Sequence, residues 1–345
     1  MDWLGLSISL GVILGGAELF TNGVEWVGEG LGLSEGVVGS VLAAIGTALP
    51  ETVLPLIAVL LGRSAGKEIG VGAILGAPLM LTTLAMFVLG ASVLAFSRLG
   101  QRGRQIRADA TVPTLDLTFF LPMFGLAVIA GVIGVRAIDW VLAPVLVAGY
   151  GYYVRRHFVN PGDQTLHKEA AEMVKPLYLR KVARMKSQVA SNPHAPPVWV
   201  GVAQTLVGLG VIVAAARAFV VFVTDLSDHF HVPYLAFALL VAPIATELPE
   251  IFNASVIWAR RGRDTLAVGN ITGALVFQAV FPVTVGLLLT PWRLSGEALT
   301  AALVALGAGV VLFATLLARG RLGAWLLLVQ GAIYIAYVAY LIPRL

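Results

Sequence analysis

The residues with the clearest chemical potential lie in the stretch ATELPE, residues 245–250, inside an otherwise apolar run from Leu235 to Trp258. Two glutamates, Glu247 and Glu250, flank a proline there, and they are three residues apart, so that they share nearly one face of a helix. A carboxylate is costly in apolar surroundings unless it is paired or coordinates an ion. Ligation by oxygen alone suits a hard cation such as Ca²⁺, Na⁺ or Mg²⁺. The stretch therefore predicts a cation site.

The same pattern occurs once more, earlier in the chain. AIGTALPE at 44–51 matches PIATELPE at 243–250, and GVGAILGA at 70–77 resembles AVGNITGA at 267–274. Each half thus has a helix with a proline and a glutamate, followed by a helix with small residues at regular spacing. Repeats with broken helices at corresponding positions are typical of secondary transporters, which bind their substrate between the repeats near the bilayer midplane.

The prolines add backbone oxygens to the predicted site. A proline cannot donate a hydrogen bond to the carbonyl four residues before it, which is Gly46 for Pro50 and Ala245 for Pro249. At membrane depth a bound cation can satisfy such a carbonyl, and so can a neighbouring threonine hydroxyl. The predicted ligands are Glu51, Glu250, Glu247, Thr47, Thr246 and the backbone of Gly46 and Ala245.

Several other polar residues fall inside apolar segments, and the sequence leaves their roles open. Gln278 and Asn253 are each interpreted either as a neutral ligand or as an interhelical hydrogen-bonding residue. Glu18 and Arg217 occupy equivalent positions in the first helix of each half, where they could pair, line an ion pathway or extend to the interface. The glycines of the repeated stretches are expected to allow close helix packing: Gly70, Gly72, Gly76, Gly269 and Gly273.

The composition indicates a membrane protein. Of the 345 residues 58% are hydrophobic and 12% are charged, and the mean hydropathy is +0.89. A helix that crosses the roughly 30 Å hydrocarbon layer needs about 20 apolar residues. We therefore predict an all-α polytopic membrane protein with ten transmembrane helices, arranged as two inverted five-helix repeats. The predicted spans are 4–27, 36–61, 69–96, 114–134, 138–154, 198–224, 233–258, 265–289, 296–317 and 322–342.

The distribution of basic residues predicts the orientation. With the N-terminus outside, seventeen Lys and Arg residues fall in inner loops and five in outer ones, as the positive-inside rule requires. Both termini are then extracytoplasmic, and the membrane is the plasma (inner) membrane. The predicted organisation is a first repeat over 1–155, a cytoplasmic linker over 156–197 and a second repeat over 198–345. Part of the linker could form a basic amphipathic helix on the membrane surface, or it could be a solvated loop.

These motifs resemble a known family. GTALPE and ATELPE are similar to the two repeat signatures of the cation/calcium exchanger superfamily, Gly-Thr-Ser-x-Pro-Glu, and VGNITGA at 268–274 resembles its Gly-Asn-x-x-Gly-Ser stretch. The resemblance covers about 36–96 and 233–289. It implies exchange of Ca²⁺ or another cation against Na⁺ or H⁺ between the second, third, seventh and eighth helices. It also implies alternating access by sliding of the first and sixth helices. The ligands that it implies are Thr47, Glu51, Thr246 and Glu250.

The chain departs from this family pattern at neutral ligand positions. Ala48 and Glu247 stand where the signatures have serine, and Ala77 and Ala274 replace serines of the glycine-rich stretches. A further Asn or Asp of the family falls on Leu81 in the first repeat and on Gln278 in the second. Neutral ligands are lost and one carboxylate is gained. Because neighbouring carboxylates repel, one of them should hold a proton when no cation is bound, which makes H⁺ a candidate coupling ion.

The sequence thus favours a secondary-active cation antiporter that exchanges Ca²⁺ for Na⁺ or H⁺. A Na⁺/H⁺ or Mg²⁺ exchanger on the same fold is the first alternative, and a channel or an intramembrane hydrolase is a weaker one. We expect no enzyme activity, no cofactor besides the transported cations Ca²⁺, Na⁺ or H⁺, and no nucleic-acid partner. The sequence has no Gly-x-x-x-x-Gly-Lys-[Ser/Thr] motif that would bind a nucleotide. The expected partners are the lipid bilayer and inorganic cations, and the oligomeric state is open.

Overall fold

A computed structural model describes residues 2–31, 49–61, 63–159, 178 and 197–344. Within these ranges it does not describe the side chains of residues 25, 28–30, 49, 63, 64, 157–159, 245, 249, 250, 253 and 257. All regular secondary structure in the described part of the chain is helical. Most of the predicted linker, 156–197, lies outside these residues.

The helices of the first half are numbered in chain order. They are α1 (Asp2–Gly30), α2 (Leu49–Leu61), α3 (Arg63–Met80), a first π-helix (Leu81–Ala85), α4 (Met86–Arg98), α5 (Thr111–Ile133) and α6 (Arg136–Val159).

The helices of the second half follow the linker. They are α7 (Val198–Phe230), α8 (Tyr234–Phe252), a second π-helix (Asn253–Trp258), α9 (Asp264–Gln278), α10 (Phe281–Leu289), α11 (Gly296–Arg319), α12 (Ala324–Leu341) and a closing 3₁₀ turn (Ile342–Arg344).

Eight helical stretches among the described residues are long and apolar enough to cross a membrane. They are Asp2–Val24, Ala65–Arg98, Thr111–Ile133, Arg136–Arg156, Val198–Phe230, Asp264–Leu289, Gly296–Arg319 and Ala324–Arg344. Two shorter apolar helices, Pro50–Leu61 and Tyr234–Leu248, lie where the second and seventh spans are predicted. The structure therefore supports eight of the ten predicted spans, while the other two and the inverted orientation of the repeats stay predictions.

The helix around Pro249 is not broken at the position that the sequence indicates. The backbone is helical through Pro249 and changes to the second π-helix at Asn253, four residues later. A π-helix re-pairs carbonyls with donors five residues on, and it commonly absorbs an irregularity of this kind. The predicted break is therefore displaced towards the C-terminal end of α8.

The eighth predicted span, in contrast, consists of two helices. α9 ends at Gln278, Ala279 and Val280 form a turn, and α10 begins at Phe281. Pro282 explains the interruption, since it has no N–H to donate to the carbonyl of Gln278 and its ring would clash with that carbonyl in a continuous helix.

Helix α3 packs closely between α2 and α8 because glycines leave room for a neighbouring helix on both of its sides. A Cβ atom on Gly70 would lie 2.6 Å from Cγ2 of Val59 on α2, and one on Gly72 would lie 2.7 Å from the carbonyl oxygen of Leu235 on α8. Side chains at these positions would separate the helices. The expectation that Gly70, Gly72 and Gly76 allow close packing is confirmed.

On the predicted inner side, an ion pair holds the two halves together. The guanidinium of Arg102 donates to both carboxylate oxygens of Asp264 at 2.7 and 2.9 Å, and the two side chains are 5% and 4% exposed. Arg102 also donates to the carbonyl of Ala259, at the end of the second π-helix. The loop between α4 and α5 is therefore fixed to the start of α9 through a bidentate pair.

Candidate cation-binding site

Glu247 is more deeply buried than Glu51, the other carboxylate of the predicted site whose side chain is described. It lies on α8, and its exposed fraction is 0%. The apolar face of α8 packs against α3, and the glycines of α3 bring the two backbones close. A carboxylate at such a place is a functional-site candidate, because ionisable residues inside membrane segments are costly and seldom serve packing alone.

Gln278 contacts this carboxylate directly. Its Nε2 donates to Oε1 of Glu247 at 2.8 Å, and the exposed fraction of Gln278 is 1%. The contact joins α8 to the last residue of α9, where Pro282 interrupts the helix. The interhelical hydrogen bond of Gln278 is therefore confirmed, and its role as an ion ligand stays a prediction. The contact also joins two positions of the second repeat that depart from the family pattern.

The same amide offers an acceptor to an ion. Among the described residues, Oε1 of Gln278 is buried and has no hydrogen-bond partner, and the same holds for the hydroxyls of Thr52 and Ser255. Thr52 follows Glu51, and Ser255 lies in the second π-helix. Neutral oxygens of this kind are suitable ligands for Ca²⁺ or Na⁺, and the sequence analysis did not identify Thr52 or Ser255.

Thr246 and Glu51 are also buried. The hydroxyl of Thr246 lies 3.4 Å from Oε1 of Glu247 and 3.4 Å from the carbonyl oxygen of Ala242, and the residue is 4% exposed. Glu51 is 4% exposed and lies in the first turn of the described part of α2, which contacts both α3 and α8. Its helix therefore borders the helix that carries Glu247.

The cation-binding role of every predicted ligand stays a prediction, and some of these residues are not described. Gly46 and Thr47 lie outside the described residues, and the side chains of Ala245, Glu250 and Asn253 are not described. Within the described part of the chain, no group of three or more His, Cys, Asp or Glu residues could hold a metal ion. The contribution of Glu250 to a carboxylate cluster therefore stays a prediction.

Glu18, the predicted pathway residue, lies on the exposed surface of α1. The hydroxyl of Tyr178, from the central linker, donates to Oε1 of Glu18 at 2.7 Å, and the backbone N–H of Tyr178 donates to Oδ1 of Asn22 at 3.2 Å. Asn22 also accepts a hydrogen bond of 2.8 Å from Nε2 of Gln204 on α7. Glu18 thus belongs to a polar group that includes the linker, and its role in an ion pathway stays a prediction.

A second buried carboxylate was missed in the sequence. Asp116 on α5 is 1% exposed, and its oxygens accept hydrogen bonds from Tyr153 and Thr272. The signal was available, since Asp116 is the only charged residue of the segment Thr111–Ile133. The reasoning that singled out Glu247 applies to it equally.

Comparison with known proteins agrees with this architecture. The chain matches the family described as sodium/calcium exchanger protein over residues 1–159 and 200–342. CaxA of Alkalimonas amylolytica, which is named as an antiporter, is 24% identical over 290 residues, covering 82% of this chain and 79% of CaxA. The inner membrane protein YrbG of Escherichia coli (strain K12) is 27% identical over 274 residues, covering 74% of this chain and 70% of YrbG.

Solved structures of exchangers share the fold. The crystal structure of the H⁺/Ca²⁺ exchanger CAX matches with a TM-score of 0.70 at 14% identity, covering 99% of this chain and 82% of CAX. The sodium-calcium exchanger NCX_Mj, soaked with Na⁺ and Sr²⁺, matches with a TM-score of 0.57 at 20% identity, covering 98% of this chain and 99% of NCX_Mj. The chain therefore belongs to the sodium/calcium exchanger protein family, and it is a multi-pass membrane transporter of the cation/calcium antiport type rather than an enzyme.

Proposed function

We propose that this protein exchanges Ca²⁺ for H⁺ at a site built around Glu247, Gln278, Glu51 and Glu250. The observation that carries the proposal is the contact between the fully buried carboxylate of Glu247 and the amide of Gln278. Both residues replace smaller polar residues of the exchanger signature, and they meet at the interruption between α9 and α10.

The extra carboxylate favours a proton as the counter-ion. A buried carboxylate that has no cation beside it is most cheaply neutralised by protonation. A divalent cation stabilises the ionised form and so displaces the proton. Because one group binds either ion but not both, the inward movement of one ion is coupled to the outward movement of the other.

The amide of Gln278 can interact with the site both with and without a bound cation. While its Nε2 donates to Glu247, its own Oε1 faces buried surroundings without a hydrogen-bond partner among the described residues. A rotation of the amide by half a turn would place an oxygen where the N–H now points. In this proposal the amide donates to the carboxylate in the cation-free state and turns its oxygen to Ca²⁺ in the loaded state.

The packing of the helices supports alternating access by α1 and α7. These two helices lie against each other along much of their length. Their buried residues form, together with parts of α2, α3 and α8, an apolar cluster separate from the larger one of the remaining helices. We propose that α1 and α7 slide as a pair across α2 and α8, and so expose the site alternately to the two sides of the membrane.

The proposed setting is the plasma (inner) membrane with both termini outside. The basic loop between α4 and α5 and the one between α8 and α9 are then cytoplasmic, in agreement with the positive-inside rule. With a proton gradient directed into the cell, exchange in this orientation would move Ca²⁺ outward.

The test is ⁴⁵Ca²⁺ uptake into proteoliposomes whose membrane potential is clamped with K⁺ and valinomycin. Uptake is driven in separate experiments by an outward H⁺ gradient and by an outward Na⁺ gradient. Wild type is compared with Glu247→Gln and Glu250→Gln. Glu68→Gln is the matched control, because Glu68 is an exposed glutamate on α3.

We expect uptake under the H⁺ gradient in wild type and Glu68→Gln, and a loss of tenfold or more in Glu247→Gln, roughly the effect of removing a buried charged partner. Uptake under the Na⁺ gradient alone would show that Na⁺ is the counter-ion and that the proposed role of the proton is wrong. Absence of Ca²⁺ uptake under both gradients would rule out Ca²⁺ as the substrate and direct attention to Na⁺/H⁺ or Mg²⁺ exchange.

A further inference from the structure

Asp116 and its two hydroxyl neighbours form a polar cluster separate from the Glu247–Gln278 contact. The carboxylate lies on α5 and is 1% exposed. Tyr153 on α6 donates to its Oδ1 at 2.9 Å, and Thr272 on α9 donates to its Oδ2. The cluster thus joins three helices through one ionisable group, and the proposed exchange reaction does not yet use it.

The hydroxyl of Thr272 has two acceptors for one hydrogen atom. Besides Oδ2 of Asp116, the carbonyl oxygen of Val268 lies 3.1 Å from Oγ1 of Thr272. When Asp116 is ionised, the hydroxyl donates to the carboxylate. When Asp116 is protonated, its O–H can donate to Oγ1 of Thr272, and the threonine hydroxyl then turns to the carbonyl of Val268. A hydroxyl both donates and accepts, so each protonation state has its hydrogen bonds made.

We propose that Asp116 is a second proton-binding site of this protein, which takes up and releases one proton between the inner aqueous phase and the cation site. The uptake step breaks one O–H bond of a hydronium ion of the inner phase, which becomes water, and forms one O–H bond at Oδ2 of Asp116, so that the charge of the side chain changes from −1 to 0. The release step reverses this change. No other bond is made or broken.

The position of the cluster along the helices suits this role. Thr272 precedes Gln278 by six residues on α9, which corresponds to about 9 Å along the helix axis. Asp116 lies five residues after the start of α5, Thr111, and Tyr153 lies near the end of α6. Because the preceding loops of α5 and α9 are predicted to be cytoplasmic, the cluster lies between the cation site and the inner surface.

Among the described residues, the ionisable groups that interact with Asp116 come from α6. α5 packs against α6, α9 and α11, and from α6 both Tyr153 and Tyr150 interact electrostatically or by hydrogen bonding with Asp116. The ionisable residues of the other two helices lie at their ends: Asp264, paired with Arg102, on α9, and Glu297 and Arg319 on α11. A change in the protonation of Asp116 therefore alters the hydrogen bonds of Tyr153 and Thr272 and the electrostatic surroundings of Tyr150.

Infrared spectroscopy of the reconstituted protein tests the proposal without transport. A protonated carboxyl group in an apolar site has a resolved carbonyl stretching band, which is recorded over a pH series in wild type and in Asp116→Asn. We expect a band that disappears as the pH rises and that is missing from Asp116→Asn. Absence of any pH-dependent band that this substitution removes would overturn the proposal.

Two variants of Thr272 separate proton binding from a structural role and cover the case in which Asp116→Asn fails to fold. Thr272→Val removes the donor to the ionised carboxylate, so that the band should persist to higher pH. Thr272→Ser keeps the hydroxyl and should restore the wild-type titration. If valine and serine gave the same titration, the proposed hydroxyl switch would be wrong.

The result is independent of the proposed exchange reaction, although the role of this proton in transport rests on it. If ⁴⁵Ca²⁺ uptake did not respond to a proton gradient but the infrared band disappeared with rising pH, the proposal of a proton site would be supported. The proposal of H⁺/Ca²⁺ exchange would then be rejected. If uptake responded and Asp116→Asn changed neither the band nor the pH dependence of uptake, the proton site would fall alone.

Discussion

The two repeats use aligned positions for different purposes. In the first repeat Leu81 is fully buried and apolar at the position where the second repeat has the buried amide of Gln278. A Cβ atom on Gly76 would overlap the carbonyl of Leu239 and approach Cγ of Pro243 to 2.5 Å. Within the described part of the chain, a Cβ atom on the aligned Gly273 would meet only the hydroxyl of Tyr153, at 3.8 Å.

Both repeats nevertheless lose regular α-helical geometry at the same place. α3 changes to the first π-helix at Leu81, and α9 ends at the aligned Gln278. In the first repeat, side chains donate hydrogen bonds to carbonyls at the irregularity. The hydroxyl of Thr82 donates to the carbonyl of Pro78 at 2.8 Å, and that of Thr83 donates to the carbonyl of Leu79. In the second repeat the irregularity presents Gln278 to Glu247.

This difference indicates a division of labour. The glycines of the first repeat hold α3 tightly against α8, and the second repeat supplies the additional polar side chains. Four experiments test that division, in order of decreasing expected effect.

Replacing the carboxylate of the second repeat should have the largest effect. We expect Glu247→Ala to reduce Ca²⁺ transport by roughly 100-fold, because truncating one partner of a buried charged contact costs about 2–5 kcal/mol. The measurement is the initial rate of ⁴⁵Ca²⁺ uptake per reconstituted molecule. Glu68→Ala, an exposed glutamate of the first repeat, should retain the wild-type rate, and equal losses in both variants would contradict the assignment.

The packing role of the first repeat is tested by aligned glycine substitutions. Gly76→Ala should lower the free energy of unfolding by about 1–3 kcal/mol, since the new methyl group meets the backbone of α8. Gly273→Ala meets no clash among the described residues, so we expect it to be neutral, or stabilising by up to about 1 kcal/mol through helix propensity. Thermal unfolding in detergent compares the two, and a larger loss in Gly273→Ala would reverse the proposed division.

Removing the amide of the second repeat should have an intermediate effect. Gln278→Met keeps the length of the side chain but has neither the donor to Glu247 nor the oxygen for an ion. We expect Ca²⁺ affinity to fall by about tenfold, the equivalent of roughly 1.4 kcal/mol for a buried hydrogen-bonding ligand. The measurement is the Ca²⁺ concentration that gives half-maximal uptake, and an unchanged value would exclude Gln278 from the site.

The matching change in the first repeat should have the smallest effect. Leu81→Met conserves volume in the apolar core, and such replacements usually cost less than about 1.5 kcal/mol of stability. Ca²⁺ affinity should stay at the wild-type value. A loss of affinity as large as that of Gln278→Met would show that the two positions contribute equally.

Much of the architecture could be predicted because the bilayer constrains the sequence strongly. A span must be long and apolar, so eight of the ten predicted segments coincide with helices that meet this requirement. The close approach at Gly72 and Gly76 was equally predictable, since small residues at helical spacing face a neighbouring helix. For Gly273 the rule stays a prediction, since among the described residues an added Cβ atom would meet the Tyr153 hydroxyl alone, at 3.8 Å.

The site was predictable as a set of residue types but not as a set of contacts. The sequence identified Glu247 and Gln278 separately, and their pairing depends on the interruption of α9, which Pro282 causes. The break at Pro249 was placed four residues too early, because proline indicates where a helix is weakened and the surrounding packing decides where it deforms. Asp116 was overlooked because it belongs to neither repeated motif.

The most direct test of the account is to count the protons that the purified protein releases when it binds Ca²⁺. Ca²⁺ is added to the detergent-solubilised protein in weakly buffered solution that contains a pH indicator, and wild type is compared with Glu247→Gln. The account predicts that Ca²⁺ binding releases protons from wild type and fewer from the variant. If wild type bound Ca²⁺ without releasing any proton, competition between Ca²⁺ and H⁺ for a buried carboxylate would be contradicted.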